Sequence, residues 1–187
     1  MVSALVAADV DPRWITGFVF TMIAGGNDTT TGLLGGSLEL LTGRRDQRQL
    51  LIEDLSLVRP AVDELLRLTS PVQNLARTAT VEVERAGVRI PAGAKVMLLY
   101  GSANRDERQF GPTADELAVT RNPERILSFG YGAHHCLGAA VARLAATITL
   151  ERILERFPDF VVDAASGRFA PGPYVRRYES LPFLGAP

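Results

Sequence analysis

One sulfur in this chain is placed to do chemistry. Cys136 is the single cysteine, and it lies in the run Phe129-Gly130-Tyr131-Gly132-Ala133-His134-His135-Cys136-Leu137-Gly138 with an apolar helical pattern directly behind it. Glycines at 130, 132 and 138 remove side chains where the backbone has to approach a ligand closely or adopt positive φ. A helix starting near Gly138 turns unpaired N–H groups back toward the sulfur, which favours the ionised thiolate. Such a sulfur suits something flat and electron-poor, and it is one of the few protein groups able to serve as the axial ligand of a haem iron. Three other uses are weaker. A buried structural cysteine leaves the flanking glycines unexplained. Structural zinc needs about four ligands from separated positions, whereas His134, His135 and Cys136 are consecutive. A cysteine hydrolase needs a histidine brought alongside the sulfur, and both histidines here are its sequence neighbours.

Other chemically suggestive groups precede it. The run Ala24-Gly25-Gly26-Asn27-Asp28-Thr29-Thr30 places a carboxylate beside a hydroxyl, just after two glycines, within a long apolar segment. Read alone, such hydroxyls bend a helix by bonding back to the preceding turn. Glu64 and Arg67 lie three apart on a helical pattern and therefore on one face. Arg77 opens the run Arg77-Thr78-Ala79-Thr80 just beyond that helix.

Taken together, in this order and spacing, these segments resemble the cytochrome P450 family, the haem-thiolate monooxygenases, in its soluble bacterial form. The family's haem-loop pattern, Phe-x-x-Gly-x-x-x-Cys-x-Gly with a basic residue two before the cysteine, is matched by Phe129, Gly132, His134, Cys136 and Gly138. The resemblance implies haem b (iron protoporphyrin IX) as cofactor and O2 as co-substrate, with Cys136 as the axial thiolate on iron and Phe129, Gly130 and Gly138 in the cofactor-binding loop. It implies that His134 and Arg77 contact the haem propionates and that Gly25 and Gly26 leave room for O2. Asp28 and Thr29 become the catalytic acid-alcohol pair that delivers protons for heterolytic O–O cleavage. Glu64 and Arg67 become a structural ion pair joined to the loop leading to the haem ligand, with a third partner somewhere between Asn104 and Arg125. Leu117 departs from the family, standing where an aromatic residue is usual.

The activity so implied is insertion of one oxygen atom from O2 into a small apolar organic substrate. Electrons come from a ferredoxin or similar donor with its reductase, and arginines such as Arg143 are candidate docking charges. The implied fold is mainly α with a small antiparallel β-sheet, the C-terminal, haem-ligand half of the family architecture. Residues 1–187 then form a single partial domain running from the central distal helix to the C-terminus, with the N-terminal half absent. Three explanations stand side by side: a truncated or fragmentary product that is catalytically incompetent, one part of a split enzyme completed by a separate N-terminal half, or a shortened protein that only binds haem or regulates. Within this chain the central helix is expected to lose partners on one side, exposing Trp14, Phe18 and Phe20 or their neighbours.

Composition is ordinary for a globular domain, with 187 residues, 47% hydrophobic and 22% charged,. A net charge of −1 gives no reason to expect nucleic acid or an anionic membrane as partner,. The longest apolar run, Phe18 to Gly26, falls well below the roughly 20 residues of a membrane span. The start lacks a basic signal-peptide region, and a lone cysteine fits a reducing compartment, so a cytoplasmic location is expected.

The elements that position these groups follow from periodicity. Asp11-Pro12 starts a long helix. From Trp14 to about Leu41 its apolar residues surround the axis, which predicts a helix through the middle of a core, distorted midway at Gly25-Gly26 and Asp28 to Thr31. Shorter helices are predicted over Arg45 to Ile52 and Pro60 to Thr69, the latter stopped by Ser70-Pro71. Alternation at Thr80 to Val83, a turn at Arg85-Ala86-Gly87, then Val88 to Ile90 and Lys95 to Tyr100 predict one small antiparallel sheet. Residues 102–128 read as mostly irregular. The apolar set Leu137, Val141, Leu144, Ile148, Leu150, Ile153 and Leu154 predicts a helix of about twenty residues ended by Phe157-Pro158.

Overall fold

A computed structural model describes residues 1–185. Its frame is helical. After a short α1 (Val2–Ala7), α2 runs unbroken over Pro12–Gly43, with the Asp11 carboxylate accepting from the Arg13 N–H at 2.8 Å and Pro12 in its first turn. The expected midway distortion is absent. The hydroxyls do bond back to the preceding turn, Thr29 donating to Gly25 O at 2.7 Å and Thr31 to Asn27 O at 2.8 Å, without interrupting the helix. A helix this long keeps its cooperative backbone ladder although each glycine costs roughly 1 kcal/mol relative to alanine.

The helix also does not run through a core along its whole length. Its buried residues, Gly32, Leu33, Gly36, Ser37 and Leu41, all lie in the C-terminal half. Trp14 and Phe20 are 75% and 72% exposed, while Phe18 is half-buried. Apolar residues on every side need neighbours on every side, and the described residues supply them only at one end.

Next come α3 (Arg45–Glu53), a 3-10 turn at Leu55–Leu57, and α4 (Val58–Thr69), which starts two residues before the Pro60 that was expected to open it. Ser70, at φ 36°, ends α4 in the left-handed region ahead of Pro71. The expected single sheet is instead a set of separate two-stranded pairs. Strand β1 (Leu75–Thr78) pairs antiparallel with β4 (Lys95–Leu98), and β2 (Val83–Arg85) forms a hairpin with β3 (Val88–Ile90). Thr80 to Glu82 lie outside any ladder. The hairpin turn puts Ala86 and Gly87 at φ 49° and 75°, matching the twist of its strands,.

Two short helices, α5 (Tyr100–Ala103) and α6 (Glu107–Phe110), interrupt the irregular stretch ahead of α7 (Ala139–Arg156). Beyond α7, β5 (Val161–Val162) pairs with β8 (Phe183–Leu184) and β6 (Arg168–Phe169) with β7 (Tyr178–Ser180). The core forms where α2, α4 and α7 meet, around Leu33, Leu41, Ala61, Leu65, Ala146, Leu150 and Phe160. The apolar positions of α7 divide between two sides. Leu150 and Leu154 are buried with Ala139, Ala146 and Thr147, whereas Val141, Leu144 and Ile148, with Leu137 just ahead of the helix, are exposed.

Gly32 marks a close crossing. A Cβ built there would stand 2.6 Å from the Arg176 carbonyl oxygen and 3.2 Å from Pro71 Cβ, while one at Gly25 would meet nothing within 4 Å. Gly32→Ala is therefore expected to destabilise the chain by about 1–3 kcal/mol through overpacking. Gly25→Ala should stabilise it by up to about 1 kcal/mol through helix propensity. Urea unfolding of the two variants beside the wild type checks both signs.

Candidate functional site

Cys136 owes its presentation to backbone bonds within its own loop. Gly130 N donates to Leu127 O at 2.8 Å, Cys136 N to Phe129 O at 2.8 Å and His135 N to Gly132 O at 2.9 Å. Gly130 and Gly132 sit at φ 69° and 70°, where an L side chain is strained, and Gly132 faces open space,. The loop folds over the buried ring of Phe129, and the Cys136 thiol is exposed. Gly138 differs from the other two: its φ is −84°, it caps α7, and its absent side chain would have lain 3.9 Å from Cys136 Sγ. The helix thus begins three residues beyond the sulfur, with Ala139 N bonded to Cys136 O at 3.3 Å.

Phe129 is itself held from below. The Arg143 guanidinium of α7 lies 4.5 Å from its ring centroid and donates through Nε to Asp63 Oδ1 of α4 at 2.8 Å. Arg143, a candidate docking charge, thus also ties the Cys136 loop to α4. Arginine combines those roles because its planar cation can stack on a ring while its edge bonds a carboxylate.

Beneath the loop lies a buried ion-pair network. Glu64 and Arg67 have fully buried side chains and meet at 2.7 Å and 2.9 Å through both carboxylate oxygens. The partner left open by the sequence is Arg121, whose Nε donates to Glu64 Oε1 at 3.0 Å. Arg67 also donates to the carbonyls of Asn104, Ala114 and Glu116, and Arg121 to those of Phe110 and Thr113. The segment, regular only in its short helices, is thereby tied down by two guanidinium groups that take up several of its backbone carbonyls,. Leu117 is buried there and joins the core.

The remaining candidates stand on other elements. Asp28 and Thr29 lie on α2, half-buried, with Asp28 Oδ1 3.1 Å from Arg177 Nε in an ion pair that the sequence did not suggest. Gly25 and Gly26 on the same helix face open space. Arg77 is exposed on β1, its Nη1 donating to the neighbouring Ala76 O, and His134 is exposed in the 3-10 turn Gly132–His134. Phe129, Gly130, His134, Cys136 and Gly138 thus share one loop. Glu64 and Arg67 lie beneath it, and Asp28, Thr29 and Arg77 belong to separate segments. Asn104, which joins the loop to the network, carried no motif in the sequence.

The family model for cytochrome P450 matches residues 37–163. Cytochrome P450 130 of Mycobacterium tuberculosis is 56% identical over 186 residues, covering 98% of this chain and 46% of its own length. A steroid C26-monooxygenase of the same species is 39% identical over 194 residues, covering 100% of this chain and 48% of its own. The solved structure of CYP109Q5 from Chondromyces apiculatus superposes with a TM-score of 0.89 at 36% identity, over 94% of this chain and 45% of the other. The chain belongs to the cytochrome P450 family, and it spans about half the length of the curated relatives it matches.

Replacing Glu64 by leucine would strand both Arg67 and Arg121 in a buried site. The expected cost is about 3–5 kcal/mol, seen as a lower urea midpoint or loss of soluble folded chain. A Glu64→Leu midpoint equal to the wild type would contradict the network's role.

Proposed function

We propose that this chain is the haem-ligand portion of a monooxygenase that inserts one oxygen atom of O2 into a small apolar organic substrate, with electrons from a ferredoxin or similar donor and its reductase. The observation that carries this reading is the single sulfur of Cys136, exposed at the mouth of a glycine-shaped loop ahead of α7. The donor set fits haem b: one soft ligand with open space at Gly132, and cationic or basic groups, Arg77 and His134, exposed and free of ion pairs among the described residues,. When bound, the cofactor supplies activation of O2 at an iron whose electron density the thiolate raises.

The chain's residues do the rest. Cys136 holds the cofactor by its sulfur, while Phe129, Gly130 and Gly138 keep the loop's backbone close to it. Arg77 and His134 neutralise its carboxylates, which would be costly to leave unpaired in a partly buried site. On the other side, Gly25 and Gly26 leave space on α2. The Thr29 hydroxyl donates its hydrogen bond to Gly25 O, so its lone pairs remain free to accept from a further donor,. Asp28 is the next proton carrier along that path, tethered by Arg177,. Apolar substrate chemistry agrees with a relative that is named a steroid monooxygenase.

A second reading is favoured by one specific observation. The exposed apolar side chains on α2 and α7 are surface of the kind that marks missing partners,. On that reading the chain alone binds haem without turnover, and a complementing N-terminal half restores activity. Reconstitution with haemin separates the two. The wild type should give the red-shifted Soret band of a reduced thiolate–CO complex, and Cys136→Ser should lose it; identical spectra from both would remove the functional reading. Product formation with ferredoxin and reductase distinguishes an active chain from a binding-only one. Where turnover is present, Thr29→Ala should consume electrons without forming product, and unchanged coupling would remove Thr29 from the proton path.

A further inference from the structure

The structure assigns Asn104 as the positioning residue that transmits the buried ion-pair network to the Cys136 loop, an inference that deepens the haem-thiolate reading and rests on it. Asn104 is fully buried, and both ends of its carboxamide are used. Its Nδ2 donates to Ser128 Oγ at 2.9 Å and to Ser70 Oγ at 3.3 Å, and its Oδ1 accepts the Leu127 N–H at 2.8 Å. Ser128 in turn donates to Leu66 O of α4 at 2.7 Å. The Asn104 carbonyl accepts from Arg67 Nη1 at 2.7 Å, so one residue bonds the network through its backbone and the loop through its side chain.

The path then continues by backbone bonds alone. Leu127, fixed at its N–H by Asn104, accepts at its carbonyl from Gly130 N; Phe129, the next residue after Ser128, accepts from Cys136 N. Each bond fixes the next peptide, so the register of the sulfur relative to α4 is set where the carboxamide clamps residues 127 and 128. Ser70 gives the clamp its other jaw. It is held in the left-handed region at φ 36°, a conformation that costs energy for a residue with a side chain and persists only where neighbours overdetermine it,. No hydrocarbon side chain can make these contacts, and a carboxylate would lack both N–H donors.

The test uses the chain with its native sequence elsewhere and reads amide hydrogen exchange residue by residue. Asn104→Leu should speed exchange at Gly130 and Cys136 by on the order of tenfold, the worth of roughly one net buried hydrogen bond, while Leu150 and Leu154 in α7 keep their protection. Ser128→Ala removes the hydroxyl through which Asn104 reaches Leu66 O of α4 and should give the same local pattern, which keeps the assignment testable if Asn104→Leu does not fold. Unchanged exchange at Gly130 and Cys136, or an equal loss across α7, would overturn it, the latter because it marks global destabilisation. In haem-loaded protein the same variants should convert part of the red-shifted thiolate–CO band to the unshifted form. If the wild type never takes up haem, the functional reading fails while amide exchange still judges the clamp.

Discussion

The carboxylate of Glu64 is the constraint on which the rest of the structure depends. It is removed from water on α4, and a lone buried carboxylate would cost several kcal/mol,. Arg67, one helical turn on, offsets the charge, but its own five donors then require acceptors that α4 cannot provide. Those acceptors are the carbonyls of Asn104, Ala114 and Glu116, while Arg121 returns from the far end of the same segment to share Glu64 Oε1 with Arg67. The Phe110 ring lies 4.8 Å from the Arg67 guanidinium carbon. Satisfying one buried charge thus arranges a stretch of chain with no ladder of its own, and that stretch carries Asn104.

The loop that presents the sulfur is consequently supported from two directions. Asn104 and Ser128 fix its start against α4, and Arg143 presses on Phe129 while bound to Asp63. A side chain that is to act at a site must be held within about half an ångström of its working position. A loop of glycines cannot supply that rigidity from its own propensity, so packing and hydrogen bonds from neighbouring helices supply it.

Much of this was legible in the chain because local rules govern it. The cap at Asp11-Pro12, the stop at Ser70-Pro71, the turn at Ala86-Gly87 and the start of α7 behind Gly138 depend on residues within a few positions of one another. The glycine spacing around Cys136 was equally readable. Where neighbours distant in sequence decide, local reading failed. Gly25-Gly26 did not break α2, because a ladder of 32 residues, packed at its C-terminal end, carries two poor helix formers,. The apolar positions of α7 could not be sorted into buried and exposed, since both sides are apolar and only the placement of α2 and α4 chooses between them. The bond from Arg143 to Asp63 was not legible because the two lie eighty positions apart.

The order of types along the chain alone determined that a single thiol would stand at the head of a helix, that α2 would be long and apolar all round, and that Glu64 and Arg67 would share a face. Each follows from spacing and short-range stereochemistry. Only the tertiary structure decided that Arg121 completes the pair, that Asp28 is tied to Arg177, and that Asn104 joins the buried charges to the sulfur's loop. Those choices depend on which distant groups meet in a low-dielectric interior, where an unpaired donor or charge is too costly to persist and a nearby partner is therefore selected by geometry.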